Sequence, residues 1–344
     1  MSQIQTKMVM VDPARPDPDA LNQAAALILL GELVAFPTET VYGLGANALD
    51  TQAAAGIFRA KGRPSKNPLI VHVDSIERAK SLTSSWPKTA DQLAAVFWPG
   101  PLTLILPKSN TVPDIVTAGG PTIAVRMPAH PIALGLIRAA DVPIAAPSAN
   151  RSEQLSPTLA EHVLEGLNGR ISMILDGGAT SGGVESTVLD LTTGIPKILR
   201  PGLITPGEIE AVIGTIQRLS SEPADENNSA LPSPGMMSRH YAPRARLEIS
   251  TIDSGGRVRE LVGMGEKVGW LTLDHSSIAV QGCHLLTMPT VAAEYAHEFY
   301  AVLHELDRHC CTVIIVDAPP AGEDWDAIRD RMSRAATIKE KVIN

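Results

Sequence analysis

Between Asp19 and Leu199, short β-rich apolar runs alternate with stretches of helical apolar spacing, and the runs outnumber the helical stretches. Strands are expected at Val34–Phe36, Leu69–Val73, Leu102–Leu106, Thr122–Val125, Ile144–Ala146, Ile171–Leu175, Thr187–Leu191 and Ile198–Leu199. Helices are expected at Asp19–Leu30, stopped by Gly31, at Thr51–Ala60, capped near Asp50, and at Lys88–Phe97, Pro131–Ala139 and Thr158–Leu167. Several strands are adjacent in sequence. That favours a twisted mixed sheet with helices over a pure doubly wound α/β fold.

Residues 218–235 (RLSSEPADENNSALPSPG) break this alternation with Ser, Pro, Asn and acid and hardly a large apolar side chain, the composition of a linker. Alternation resumes with strands at Leu247–Ile249, Val268–Leu273 and Val313–Val316 and helices at Val291–His309 and Asp324–Ala336. Tyr295, Phe299, Val302, Leu303 and Leu306 line one side of the long helix. The 344 residues thus read as a larger α/β domain over 1–217, a linker over 218–245, and a smaller Rossmann-like α/β domain over 246–344. No internal repeat is visible.

Composition narrows the function. Twenty-nine basic against 37 acidic residues give a net charge of −8, so any nucleotide site rests on a local basic cluster. Aromatics are only 3%, which counts against stacking platforms for single-stranded nucleic acid. Three cysteines, Cys283 and the adjacent Cys310 and Cys311, offer no disulfide framework and no Cys-x-x-Cys pair, as suits a reducing cytoplasm. The N-terminus lacks an apolar signal core and no run approaches membrane-spanning length, so a soluble, cytoplasmic protein without a membrane partner is expected.

Five segments hold chemistry-bearing residues at unusual density. In RAKGRPSKNPLIVH (59–72), four bases fall within eight residues, and Gly62, Pro64 and Pro68 prevent a regular helix face. A rigid basic loop between a helix and a strand makes an anion cradle; a solvated turn with scattered charge is the other reading. In FPTETVYGLGAN (36–47), hydroxyls and a carboxylate interrupt a buried strand, and Gly43 and Gly45 allow close backbone approach. Gly43-x-Gly45-x-x-Ala48 is not a dinucleotide fingerprint: a polar stretch separates it from the strand, and Asp74 lies too far on. Arg126 ends the buried run TIAVR (122–126), placed to clamp a carboxylate, with surface pairing the alternative. Ser148 and Asn150 follow another strand, as ligand groups or as an ordinary turn. GGVEST (182–187) and KILRPG (197–202) put polar groups beside glycine, and SPGMMSRHYAP (233–243) offers an aromatic-basic hook as lid or domain anchor.

Other chemistries are missing from the sequence. There is no Gly-x-x-x-x-Gly-Lys-Ser/Thr loop and no Gly-x-Ser-x-Gly elbow. His304 and His309 are five residues apart, the wrong spacing for a helical zinc pair, and no metal site is expected. No cysteine has the neighbourhood of a nucleophile.

The set FPTETVYGLGAN (36–47), KGRPSKNPLIVH (61–72), WPGPLTLIL (98–106), TIAVRMP (122–128), APSAN (146–150), VESTVLDL (184–191), ILRPG (198–202) and SPGMMSRHYAP (233–243) resembles YrdC-type threonylcarbamoyl-AMP synthases in their long form. VIIVDAPP (313–320) and WDAIRDRMSRAA (325–336) look like the family's second domain, more loosely. Met237 and Ser238 stand where members often carry a basic residue and an aromatic. The resemblance implies a YrdC-like sheet followed by a Rossmann-like domain. It also implies condensation of L-threonine, bicarbonate and ATP to threonylcarbamoyl-AMP and pyrophosphate, for the threonylcarbamoyladenosine modification of tRNA by a downstream transferase complex.

By that resemblance Arg63, Asn67, Thr122, Ser148, Ser156 and Arg200 hold ATP, Lys61 supports its phosphates, and His240 or Tyr241 closes over it. Lys61 and Arg63 are the catalytic candidates. Thr38 or Thr40, His72, Arg126, Ala146 and Ser186 hold threonine. Magnesium bridges substrate phosphates, and stable nucleic-acid binding is not expected. A carbamoyl-transfer relative of this fold would bring zinc-finger cysteines that this chain lacks; a non-catalytic RNA-binding module would bind RNA salt-sensitively without nucleotide turnover.

Overall fold

The computed structural model describes residues 5–218, 241–278 and 280–336. The described chain divides into two compact units. The first takes 5–152 and 156–218; the second takes 241–278 and 280–336, with the short segment Glu153–Leu155 grouped with it.

The first unit is built on ten strands: β1 (Lys7–Met10), β2 (Val34–Phe36), β3 (Gly43–Asn47), β4 (Ile70–His72), β5 (Leu102–Pro107), β6 (Thr122–Arg126), β7 (Ile144–Ala145), β8 (Met173–Asp176), β9 (Thr187–Asp190) and β10 (Lys197–Arg200). They form one sheet in the order β1-β8-β2-β3-β7-β4-β6-β5-β9-β10. β1, β2 and β8 pair in parallel, as do β4 with β6 and β5 with β9, while β3, β7 and β10 run antiparallel to their neighbours. The mixed sheet expected from adjacent strands is therefore the one formed. Its helices are α1 (Pro18–Leu29), α2 (Thr51–Lys61), α3 (Ile76–Ser81), α4 (Lys88–Phe97), α5 (Pro131–Ala140), α6 (Ala160–Leu167) and α7 (Pro206–Ile213).

Both faces of the sheet are covered, and the two-residue period of a strand sorts the side chains between them. Val34 and Phe36 join Ile144 and Met173 in a cluster packed against α1 and α5, whereas Ala35 joins Leu44, Val71 and Leu104 in the larger cluster under α2, α4 and α6. Central strands buried on both faces, such as β4 and β5, have no room for alternation and read as continuous apolar runs. That is why they were legible in sequence.

Three strands and three helices escape the apolar pattern. β1 and, in the second unit, β13 (Cys283–Thr287) are partly exposed edge strands, so neither buries a face that would leave a period. β3 is GLGAN and reads as a loop, yet its glycines are required by packing: a Cβ on Gly45 would lie 2.7 Å from the Phe36 ring and 3.0 Å from Ile144. α3 is only six residues long, α7 opens on Pro-Gly, and α8 (Ser254–Gly263) of the second unit carries two glycines in its first turn.

The second unit alternates β11 (Arg246–Ser250), α8 (Ser254–Gly263), β12 (Val268–Thr272), β13 (Cys283–Thr287), α9 (Ala292–Arg308), β14 (Val313–Asp317) and, after a single 3₁₀ turn, α10 (Asp326–Ala335). Its four strands, ordered β11-β14-β12-β13, are all parallel. Val268 and Trp270 pack with Val258 and Leu261 of α8, while a Cβ on Gly269, between them, would meet Leu306 of α9 at 2.8 Å, so helices lie on both faces. This is the smaller Rossmann-like arrangement expected. Val302 is half-buried and does not share the full burial of Tyr295, Phe299, Leu303 and Leu306.

Gly45→Ala is expected to lower unfolding free energy by about 1–3 kcal/mol through overpacking against Phe36 and Ile144. Denaturant unfolding measures it; a midpoint equal to wild type would contradict the packing account.

Candidate active site

The parallel pairing of β4 and β6 sets His72 beside Arg126 at the ends of their strands. Pro37 ends β2, and the Thr38 hydroxyl then closes a tight turn: it accepts from the backbone N–H groups of Thr40 (3.1 Å) and Val41 (3.3 Å) and lies 2.7 Å from the Val41 carbonyl. The turn presents the Thr40 hydroxyl to Arg126, whose Nη1 donates to it at 3.0 Å. Arg126 Nε donates to the Gly100 carbonyl at 3.2 Å, and its Nη2 lies 2.6 Å from Oε1 of Glu39. Of the two threonines expected to face an amino acid, Thr40 reaches the arginine, while Thr38 shapes the turn and touches the Thr40 hydroxyl at 2.8 Å.

His72 is buried, with the Phe36 ring edge-on at 6.4 Å. Burial, and next the charge of Arg126, pull its pKa down to about 3, so the imidazole is neutral at physiological pH. Its Nδ1 is buried without a hydrogen-bond partner. Ala146 follows β7 and donates its N–H to the Ile70 carbonyl at 2.9 Å.

The next residues along the same loop continue the site. The Pro101 carbonyl, one residue after the one that holds Arg126, accepts from the Thr187 N–H at 3.0 Å. The Ser186 hydroxyl then meets Thr103 Oγ1 at 2.8 Å and Arg200 Nη2 at 3.0 Å, and Arg200 Nε donates to the Ser186 carbonyl at 3.0 Å. A residue expected to face threonine thus sits in direct contact with one expected to face ATP. Ser156 joins from another loop, donating to Glu185 at 2.5 Å.

The basic segment is not a solvated turn. Arg59 and Lys66 are exposed, but Lys61, Arg63 and Asn67 are buried. Gly62, at φ 64°, caps α2 in the left-handed region and swings the chain out of the helix. Arg63 braces the loop that follows, donating from Nε to the Asn67 carbonyl (3.1 Å) and from Nη2 to the Pro68 carbonyl (2.8 Å). Lys61 Nζ donates to the Ser148 carbonyl at 2.6 Å, to the Asn150 carbonyl, and to Asn150 Oδ1 at 3.3 Å. Burial first, and the charge of Arg63 second, hold the lysine well below its ordinary pKa. Ser148 Oγ donates to Asn150 Oδ1 at 2.5 Å, and its backbone bridges to Gly43. Thr122 stands at the N-terminal end of β6, where the basic loop feeds β4. Four strand steps separate it from Arg126, roughly 13 Å.

Tyr241 lies in the second unit, buried, with the Arg331 guanidinium 5.2 Å from its ring centroid and Tyr300 at 6.1 Å. His240, and most of the SPGMMSRHYAP segment, lie outside the described residues. Three site neighbours were not singled out from sequence: Glu39, Glu185 and Thr103. Glu39 and Glu185 stood within quoted motifs, and an acid beside hydroxyls at the end of a buried strand was the available signal. Thr103 sits inside an apolar run and gave none. Among the described residues no group of three or more His, Cys, Asp or Glu is placed to hold a metal ion, and no helix is long and apolar enough to cross a membrane.

His72 adds a pH signature to stability. Its folded-state pKa lies below the unfolded one, so its contribution is complete above about pH 6.5 and is lost as pH falls toward about 3. Denaturant titrations between pH 7 and pH 4 are expected to show a shallower stability loss for His72→Gln than for wild type; equal slopes would contradict the burial account.

Known proteins share the sequence and the fold of this chain. A family model described as telomere recombination, covering Sua5, YciO and YrdC proteins, matches residues 26–202, and the threonylcarbamoyl-AMP synthase C-terminal domain matches residues 204–337. The chain is 47% identical over 327 residues to the threonylcarbamoyl-AMP synthase of Bacillus subtilis, covering 92% of each. The crystal structure of Pyrococcus abyssi Sua5 complexed with L-threonine superposes with a TM-score of 0.88 at 42% identity, over 97% of this chain and all of that one. A variant of the same protein with a His and a Tyr replaced by Ala gives 0.89 at 41%, over 96% of each chain. In sequence, in fold and in both of its domains, the chain belongs to the threonylcarbamoyl-AMP synthase family.

Proposed function

We propose that the first unit seats L-threonine beside ATP and joins them through bicarbonate. The observation that carries this reading is the Arg126–Gly100–Pro101–Thr187 connection, which links an arginine fit for a carboxylate to Ser186 and, in contact with Ser186, to Arg200, a cation fit for a nucleotide. Arg126 takes the threonine carboxylate, since a planar fork matches two carboxylate oxygens. Thr40, with Thr38 behind it, neutral His72, the Ala146 backbone and Ser186 surround the rest. Arg63, Asn67, Thr122, Ser148, Ser156 and Arg200 hold ATP. Lys61, whose ammonium is committed to the Ser148 and Asn150 carbonyls, acts as a positioning residue that braces this segment, so the phosphate contact expected of it from sequence requires it to leave them. His240 or Tyr241 contacts ATP, and the chain divides into domains at 1–217, 218–245 and 246–344.

The chemistry needs no protein nucleophile. The α-ammonium group of threonine gives up a proton, bicarbonate takes it up and splits to carbon dioxide and water, and the free amine adds to the carbon of that carbon dioxide, losing a second proton to solvent as it becomes a carbamate. A carbamate oxygen attacks the α-phosphorus of ATP, the bond to the β-phosphate oxygen breaks, and pyrophosphate leaves. Positioning and fixed donors supply the catalysis. The nucleotide side offers cations and hydroxyls, and no acid cluster is present among the described residues. Magnesium therefore fits as an ion that would enter with the nucleotide, held by substrate oxygens and water. The product is a reactive mixed anhydride, to be consumed by a transferase complex acting on a tRNA adenosine. The cytoplasm is the compartment that suits these substrates and three free cysteines.

Incubation with ATP, threonine and bicarbonate, omitting each in turn, tests the reaction: pyrophosphate and the adenylate mass are expected only with all three. Formation of pyrophosphate without threonine would contradict it. Arg126→Lys is expected to raise the threonine KM by roughly tenfold or more, because a charge-assisted fork worth about 1.5–3 kcal/mol is lost. An unchanged KM would remove the carboxylate role. Arg63→Ala is expected to weaken ATP use by a similar factor while it loosens the 63–68 brace, and unaltered pyrophosphate release would count against the assignment.

A further inference from the structure

Glu39 lies inside the amino-acid side of the site, yet carbamate formation and attack on the α-phosphorus give it no part. Its backbone is fixed, the carbonyl accepting from the Gly182 N–H at 2.8 Å and the Ser181 hydroxyl at 3.2 Å. Its side chain is 12% exposed and that of Arg126 only 4%. Oε1 approaches Arg126 Nη2 to 2.6 Å, but without hydrogen-bond alignment: both Glu39 oxygens and Arg126 Nη2 are buried with no hydrogen-bond partner. Charge attraction holds the pair together while its directional bonds remain unmade. Buried carboxylates and guanidinium groups are costly in that condition, and a ligand that supplies the missing donors and acceptors gains from it.

The groups around Glu39 define that ligand. Arg126 faces it from β6. His130, the N-cap of α5, feels its charge, although burial, the larger effect, lowers the His130 pKa. His72, beside Arg126 on β4, is neutral. One fixed cation and one fixed anion thus stand side by side. A simple carboxylate would meet Arg126 but be repelled by Glu39, and a simple amine would meet the reverse. A zwitterion satisfies both and brings no net charge into a buried site.

We propose that Glu39 is the receptor for the α-ammonium group, and that the Arg126–Glu39 pair selects an amino-acid zwitterion over a carboxylate. The proposal rests on the reading of this site as the threonine site. Its test is calorimetric binding of L-threonine and of the analogue with hydroxyl in place of the α-amine. Wild type is expected to favour threonine by tenfold or more. In Glu39→Gln the preference should collapse: threonine weakens by at least tenfold, while the analogue, freed from repulsion, binds equally or more tightly. Misfolding cannot produce that opposite pair of changes. Glu39→Ala, checked by thermal unfolding, gives a second reading of the ratio, and Glu39→Asp is expected to restore part of the preference. A folded variant that keeps the wild-type ratio, or that loses both ligands equally, overturns the role of Glu39. Wild type that binds neither compound overturns the threonine reading itself.

Discussion

Buried cations answered by oxygen atoms from neighbouring motifs hold this site together. Arg126 reaches Gly100, Thr40 and Glu39, Lys61 reaches Ser148 and Asn150, Arg200 reaches Ser186, and Arg63 crosses its own loop to Asn67 and Pro68. A buried charge without such partners is expensive by several kcal/mol, so each contact fixes the position of the segment that provides it. Main-chain carbonyls stabilise a cation without cancelling its charge. Arg63 and Arg200, answered by carbonyls and a hydroxyl, draw their loops together and keep their charge toward an incoming anion, which is how a site becomes preorganised for phosphate.

The sheet makes this arrangement possible. Parallel pairing of β4 with β6 delivers His72 and Arg126 to one edge, and the short antiparallel links through β3 and β7 bring the glycine segment against Pro147 and Ser148. Leu44 donates to the Pro147 carbonyl at 2.7 Å, and Ala149 to the Tyr42 carbonyl at 2.8 Å. The absence of a side chain at Gly45 lets Phe36 and Ile144 close in behind. Backbone proximity is thus achieved by glycine in a strand, not by a phosphate-binding turn.

Much of this was legible from residues alone. Fully buried strands announce themselves as apolar runs, and α4 was expected at the bounds it takes, because its apolar spacing ends at a Trp-Pro pair. What stayed hidden follows a physical rule. An exposed edge strand such as β1 leaves no burial pattern, and glycine in β3 carries turn statistics into a strand. The candidate site was visible as motifs, but contacts between motifs were not. Nothing in the sequence distinguishes Thr38, which closes a turn, from Thr40, which meets Arg126, or tells that Lys61 points at carbonyls. Those distinctions are made by register and by the path of loops far apart in sequence.

These buried side chains are expected to border one hollow that seats an amino acid beside a nucleotide. A crystal structure of the full chain grown with L-threonine and a non-hydrolysable ATP analogue tests it most directly. The threonine carboxylate is expected on Arg126 and the nucleotide against Arg63, Ser148 and Arg200, with the two ligands adjacent across Ser186. Electron density for either ligand on a different surface of the protein, with these side chains left as they are, would contradict it.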